Sequence, residues 1–295
     1  MGANTANTAN TANTANTGHA GILGGSGGAI FADRVDFPFV SEAATSTLNL
    51  PNDGFKAWSA QWLAWPILVR FLETDWKIGL IATVKRWDQL GINDPITGKP
   101  IPADEIEPLI RLAEDERADA LAEIFGQDAE FLSEFMCLLT ITPSSHPCTY
   151  LVLQTACAVA TAAVMHLKAI YNRPRPSQVC PALCPPIPVP GHASYPSGHA
   201  TQATLMALCI EEIVTGTPYA GIASGAGTRP SPLHTLARRI GRNREIAGLH
   251  FRSDTIAGEI LAGHLKPKLV AVLTEHGAHP RTSHKLFATA KAEWS

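Results

Sequence analysis

The chain is poor in cysteine, carries no basic run, and opens on neither a charged nor an apolar leader. Its six cysteines, at 137, 148, 157, 180, 184 and 209 of 295 residues, are too few for a disulfide scaffold. Cys180 and Cys184 bracket Pro-Ala-Leu in a proline-crowded stretch, where a local disulfide and two free thiols are both open. No second Cys or His pair stands nearby at ligand spacing, which argues against zinc. Cys137, Cys157 and Cys209 lie in apolar runs and are expected in the core. A net charge of −3 without a basic cluster excludes nucleic acid as a natural partner.

One apolar, charge-free run reaches the length of a membrane helix, Thr149 to Leu167. It includes Gln154, Cys157 and His166 and leads straight into Lys168, so it reads as a buried core helix and not as an integral membrane segment. Met1 to Thr17 repeats Ala-Asn-Thr without the parts of a secretory signal, which places the protein in the cytoplasm unless an export signal has been removed. Small polar residues and the following glycines predict a disordered, low-complexity segment over 1–28, ahead of a single helical domain over 29–295.

No alternating strand pattern of useful length occurs, and the fold class expected is all-α, a helical bundle. Trp58, Trp62 and Trp65 recur at helical spacing, followed by Ile67, Leu68 and Phe71. The tryptophan stripe is expected in the core, with Trp65-Pro66 kinking or ending its helix. Trp76 to Leu90 predicts a shorter segment. Asp104 to Phe125 predicts one amphipathic surface helix with Ile106, Leu109, Ile110, Ala113, Leu121 and Ile124 inward. Phe131–Ile141, Thr149–Tyr171, Leu233–Leu249 and Ser253–Thr274 are the remaining helices. Asn172–Pro196 and Thr215–Pro232 read as long loops, the first too rich in proline for regular structure.

The chemistry lies in 168–254. Lys168-x6-Arg175-Pro176, then Pro196-Ser197-Gly198-His199, then Arg244-x5-His250-x3-Asp254 form an ordered series hard to meet by chance. Two guanidiniums can each fork onto an oxyanion while Lys168 adds a point charge. Ser197 and Gly198 precede an apolar helix, whose N-terminal N–H groups and dipole attract an anion. Asp254, four residues after His250, can take the Nδ1 proton if the chain is helical there, leaving an Nε2 lone pair for a metal or for nucleophilic attack. His199 is placed to give or take a proton, with an ordinary pKa suited to neutral pH.

These motifs resemble the site shared by the type 2 phosphatidic acid phosphatases and the vanadium-dependent haloperoxidases, and the resemblance implies a helical bundle of that type. In the phosphatase branch it implies His250 as nucleophile, His199 as general acid, and a phosphate ester as substrate with no cofactor. In the haloperoxidase branch it implies vanadate on His250, its oxygens held by Lys168, Arg175, Ser197, Gly198 and Arg244, with hydrogen peroxide, halide and a small organic acceptor as partners. His192, five residues before Ser197, and Asn243 before Arg244 resemble the bromoperoxidases more closely, and that branch is the expected one, with His192 in a pocket role. Asn243 departs from the superfamily's usual serine and removes one hydroxyl beside the arginine. Whether the protein forms a homo-oligomer is open.

Overall fold

The computed structural model describes residues 58–91, 93–94, 97–101, 104–224, 231–275 and 285–295. The segment 1–28 expected to be disordered lies outside the described residues, as do His276, His279 and His284. Among the described residues the protein is helical with no strand, and a single isolated bridge joins Asn93 and Pro100.

The longest apolar run forms the longest helix. We name the principal helices α1 (Ala60–Leu72), α2 (Ile106–Asp115), α3 (Arg117–Ala129), α4 (Leu132–Leu139), α5 (Pro147–Tyr171), α6 (Gly198–Val214), α7 (Pro232–Ile246), α8 (Arg252–Glu275) and α9 (Leu286–Ala292). Helix α6 is the central one, packed on α5, α7 and α8, while α1 covers α5 and α9 lies across α5, α6 and α8. Among the described residues one stretch, 147–179, which contains α5, is long and apolar enough to cross a membrane by length and composition. Its Val152, Leu153, Ala156, Val159, Ala160, Val164 and Leu167 are buried within the bundle, as expected of a core helix.

Proline at N1 starts α5 without losing a needed donor, and Glu293 closes its end from far along the chain. The Glu293 carboxylate accepts from the backbone N–H groups of Cys148 at 2.7 Å and Thr149 at 2.8 Å, and from the Thr149 hydroxyl at 2.7 Å. Helix α9 is thereby tied to the start of α5.

Several sequence expectations are corrected. Trp58, Trp62 and Trp65 are 52%, 48% and 46% exposed. Helix α1 is apolar on both faces, and it is Leu63, Ala64, Ile67, Leu68 and Phe71 that enter the core; periodicity defined a face without saying which one turns inward. The helix also runs through Pro66 to Leu72 instead of ending there. Asp104–Phe125 is two helices, broken at Glu116 (φ −122°, ψ −20°), with Leu109 and Ile124 buried but Ile110 exposed. Cys137 is exposed because α4 turns Leu132, Phe135 and Leu139 inward. Between Trp76 and Leu90 only short turns form, Leu80–Thr83 and Trp87–Gln89, after Gly79 takes a left-handed φ of 74°. Cys180 and Cys184 are free thiols. The proline-rich loop contains one α turn, Pro176–Val179, and one 3-10 turn, Pro181–Leu183.

Close backbone approach at one glycine sets the height of the site. A Cβ on Gly258 of α8 would meet the Ser197 carbonyl oxygen at 2.8 Å and the Ala200 Cβ and Thr201 Oγ1 at 3.0 Å each. Gly258→Ala is therefore expected to cost about 1–3 kcal/mol through overpacking and to weaken anion binding by displacing the start of α6. Urea denaturation and phosphate titration of the same variant check both effects.

Candidate active site

Three chain reversals converge at the C-terminal end of α5 and the N-terminal ends of α6 and α8. Helix α5 stops at Asn172, left-handed at φ 46°, a conformation asparagine tolerates. In the following Arg-Pro-Arg-Pro each proline disfavours helix in the residue before it, and Arg175 is extended at φ −75° and ψ 153° before Pro176 opens a short α turn. Residues i and i+2 of an extended chain face the same side: Arg173 reaches Ser253 and Asp254 at the start of α8, and Arg175 reaches Leu249 and His250 just before it. Helix α7 ends at Ile246, and beyond its cap Gly248 takes a φ of 74°, with Leu249 N–H bonded back to the Arg244 carbonyl at 3.0 Å, which swings His250 into the site.

Asp254 sits in the first turn of α8 and is the fixed point. Its Oδ2 accepts from His250 Nδ1 at 3.1 Å and from Phe251 N–H at 3.0 Å, and also from the Ser194 hydroxyl. Its Oδ1 accepts from Arg173 Nη1 at 2.6 Å. Burial alone would raise this carboxyl's pKa, but the His250 bond and the Arg173 charge outweigh it and hold Asp254 below the usual carboxylate range. The His250–Asp254 contact does not come from two residues within one helix. His250 precedes the helix, and the carboxylate folds back over the first turn to meet it.

His250 is buried, and burial, reinforced by the Arg175 charge, pushes its pKa well below the ordinary value, so the ring is neutral. With Nδ1–H directed at Asp254, Nε2 is a lone pair, and Arg175 Nη1 donates to it at 3.2 Å. Arg175 also donates from Nη1 to the Leu249 carbonyl at 3.0 Å and from Nε to the His192 carbonyl at 3.1 Å. Its Nη2 lies 3.1 Å from His192 Nδ1. Lys168 uses two of its three donors on the carbonyls of Ala193, 2.6 Å, and Ser194, 2.8 Å. Lys168 and Arg175 therefore hold the loop in place as well as charging the site.

Arg244 is different. It is fully buried, and its Nη2 donates to the Ile124 carbonyl at 2.9 Å. Among the described residues its Nε and Nη1 have no hydrogen-bond acceptor; a carboxylate oxygen of Asp128 is 3.9 Å from Nη1, too far for a hydrogen bond. A buried guanidinium with two unanswered nitrogens matches a missing anion, since leaving such donors unpaired costs free energy.

Ser197 caps α6, its hydroxyl accepting from Ala200 N–H at 3.4 Å, and its own N–H donates to the Asp254 carbonyl at 2.9 Å. Gly198 begins the helix, as the motif predicted. The peptide bond between Tyr195 and Pro196 is cis. His199 directs Nε2 at the Gln127 carbonyl, 3.0 Å away, and its ring lies 5.0 Å from that of Phe131. An ordinary pKa for His199 does not hold: burial, aided by the Arg244 charge, lowers it to about 3. His192 is lowered to about 4, chiefly by burial and then by Lys168 and Arg175.

The site also contains groups that the motifs did not indicate. Gln127 of α3 accepts from Asn243 Nδ2 at 2.9 Å and approaches Arg244 Nη2 at 3.5 Å, so Asn243 orients the amide that faces Arg244. Arg173 and Ser194 grip Asp254 as described. Arg173 could have been noticed as the first half of the Arg-Pro repeat, whereas nothing in the sequence marked Gln127.

Three histidines held neutral give a stability prediction. Each has its folded pKa below the unfolded 6.5, so the unfolded chain binds more protons as pH drops below 6.5. Their contribution is complete above that pH and is lost on acidification toward about 3, where Asp254 adds to the loss. Urea midpoints of the ligand-free protein are expected to fall steadily from pH 7 to pH 4.

A comparison with curated proteins finds no match. Residues 147–266, which contain Lys168, Arg175, Ser197, His199, Arg244, His250 and Asp254 but not Gln127, match the family model described as the PAP2 superfamily, the phosphatase and haloperoxidase superfamily that the motifs resemble.

Proposed function

We propose that the protein is a vanadium-dependent haloperoxidase that oxidises bromide or iodide with hydrogen peroxide and passes the oxidised halogen to a small organic acceptor. The fit to a tetrahedral oxyanion is supported by the unanswered Arg244 nitrogens and by the neutral Nε2 of His250. Choosing vanadate over a phosphate ester rests on His192, whose ring nitrogen meets Arg175 at 3.1 Å at the position that resembles the bromoperoxidases. His250 would ligate vanadium, and Arg175, Arg244, Lys168, Ser197 and Gly198 would surround the oxygens. Vanadate would supply a Lewis-acidic centre that polarises peroxide.

The chain's own groups account for the remaining demands. Asp254 fixes the His250 tautomer and offsets the positive charge the ring gains when Nε2 donates its pair. Arg175 is already bonded to that nitrogen, so a ligand at Nε2 displaces one guanidinium hydrogen bond, which is then free for an oxygen. His199, neutral and bonded to Gln127 through Nε2, leaves Nδ1 as the edge that accepts a proton.

Hydrolysis of phosphate monoesters through phosphohistidine is the second reading, which the superfamily match over 147–266 fits equally well. It requires His199 to protonate the leaving group, so bound phosphate would have to raise a pKa that now stands at about 3. The decisive experiment assays metal-free and vanadate-loaded protein for bromide oxidation and for hydrolysis of a chromogenic phosphate ester. Bromide oxidation that appears only with vanadate, and is inhibited by phosphate, supports the first reading. Ester hydrolysis by the metal-free protein, inhibited by vanadate, would replace it with the second.

A further inference from the structure

Glu105 stands outside every motif and outside the matched segment, yet both of its carboxylate oxygens are committed to the floor of the site. Oε1 accepts from Arg173 Nη2 at 2.8 Å and from the Ser253 hydroxyl at 2.7 Å, and Oε2 accepts from Ser253 N–H at 2.8 Å. Arg173 then bridges onward, with Nη1 2.7 Å from Ser253 Oγ and 2.6 Å from Asp254 Oδ1. The guanidinium lies over two rings, 3.8 Å from the Phe251 centroid and 5.1 Å from that of Trp87. Arg173 and Glu105 are both nearly inaccessible, with side chains 8% and 9% exposed, so little water is available to screen the charges.

We propose that Glu105 is a positioning residue for His250, acting through Arg173. The inference rests on the reading of His250 as the nitrogen that bonds the oxyanion's central atom. Arg173 paired with Asp254 alone would form a neutral couple. The ring would then lack a counter-charge at the moment Nε2 gives up its lone pair. Glu105 cancels the Arg173 charge, so the three side chains together carry one net negative charge, and that charge is presented to Nδ1–H by Asp254. Glu105 also fixes which fork nitrogen Arg173 gives to Asp254, because Nη2 is already engaged. Oδ2 is thereby left to His250, Ser194 and the Phe251 N–H.

A purely structural role, capping the first turn of α8 through Ser253, makes a different prediction when charges are removed in pairs. Glu105→Gln leaves the trio neutral, Arg173→Met leaves two uncompensated carboxylates, and the double variant restores one net negative charge. Each variant is checked for folding by circular dichroism. It is then examined by nitrogen-15 NMR of labelled histidine for the His250 Nδ1–H tautomer, and by steady-state kinetics on whichever substrate the wild type turns over. Each single variant is expected to lose the single-tautomer signature and to lower kcat about tenfold or more with KM little changed, in line with groups that orient a ligating histidine. The double variant is expected to regain the tautomer and most of kcat. Single variants with wild-type tautomer and kcat, or a double variant whose loss is the product of the single losses, would overturn the proposal. If neither Glu105→Gln nor the double variant folds, Glu105 is a framework residue and the proposal fails. The NMR readout needs no turnover, so a protein inactive in both assays would refute the proposed function without deciding this inference.

Discussion

His250→Ala is expected to abolish haloperoxidase and phosphatase turnover alike while leaving a folded protein. The ring is neutral and holds its lone pair at Nε2 because Asp254 takes Nδ1–H at 3.1 Å, and the other two neutral histidines are engaged elsewhere, His192 Nδ1 with Arg175 and His199 Nε2 with the Gln127 carbonyl. Arg175, Arg244 and Lys168 are all cations, and the Ser194 hydroxyl faces Asp254. Removing the one donor to phosphorus or vanadium leaves only charge attraction, and a loss of at least about 1,000-fold in kcat is expected, as for other single deletions of an essential nucleophile. Oxyanions would still bind weakly. Asp254→Asn would be milder toward tautomer choice alone, but it also strands Arg173 and Glu105 with one charge too few, so a substantial loss is expected there too. Activity with saturating vanadate, and separately with a phosphate ester, tests both variants after circular dichroism establishes folding. Near-normal rates in folded His250→Ala would remove the basis for assigning the motif.

What could be read in the sequence depended on whether a feature was local. The motif residues were identifiable because each triplet is closely spaced, and the fold brings the three together at the ends of α5, α6 and α8. The helix beginning at Gly198 was readable from the proline, serine and glycine ahead of an apolar run. The inward face of α1 was not, because Trp62 and Trp65 match Leu63, Ile67 and Phe71 in hydrophobicity and only packing against α5 separates them. Histidine basicity was misread for a similar reason. A side chain's ordinary pKa belongs to water, and His199 is surrounded by Phe131, Gln127 and the charge of Arg244, none adjacent in sequence. Glu105 and Gln127 were invisible because each acts across a long sequence separation, on Ser253 and Arg173 in one case and on Asn243 and Arg244 in the other.

Arg244→Met is expected to make the ligand-free protein more stable and the anion-bound state unattainable. In the folded chain the Arg244 guanidinium is fully buried, with Nε and Nη1 lacking hydrogen-bond acceptors, and burial lowers its pKa to about 10 despite the carboxylates of Asp128 and Glu134. Replacing a poorly compensated buried charge by an apolar side chain of similar length gains about 1–4 kcal/mol where packing is kept. The opposing term is modest, because the losses are the Nη2 bonds to Ile124 and Gln127 and the attraction of Asp128, 3.9 Å away and partly solvated. Arg175→Met should behave in the opposite way. Its guanidinium holds the carbonyls of His192 and Leu249, and without it those carbonyls and the loop before Ser197 lose their anchor. Both variants should bind phosphate or vanadate at least about 100-fold more weakly, the equivalent of roughly 3 kcal/mol for an anion left without one of its guanidiniums. Thermal melts with and without phosphate separate the cases. Wild type should gain stability with phosphate as mass action requires, Arg244→Met should start higher and gain nothing, and Arg175→Met should start lower and gain nothing. An Arg244→Met protein that melts well below wild type without ligand would mean that this arginine is there for the fold and not for an anion.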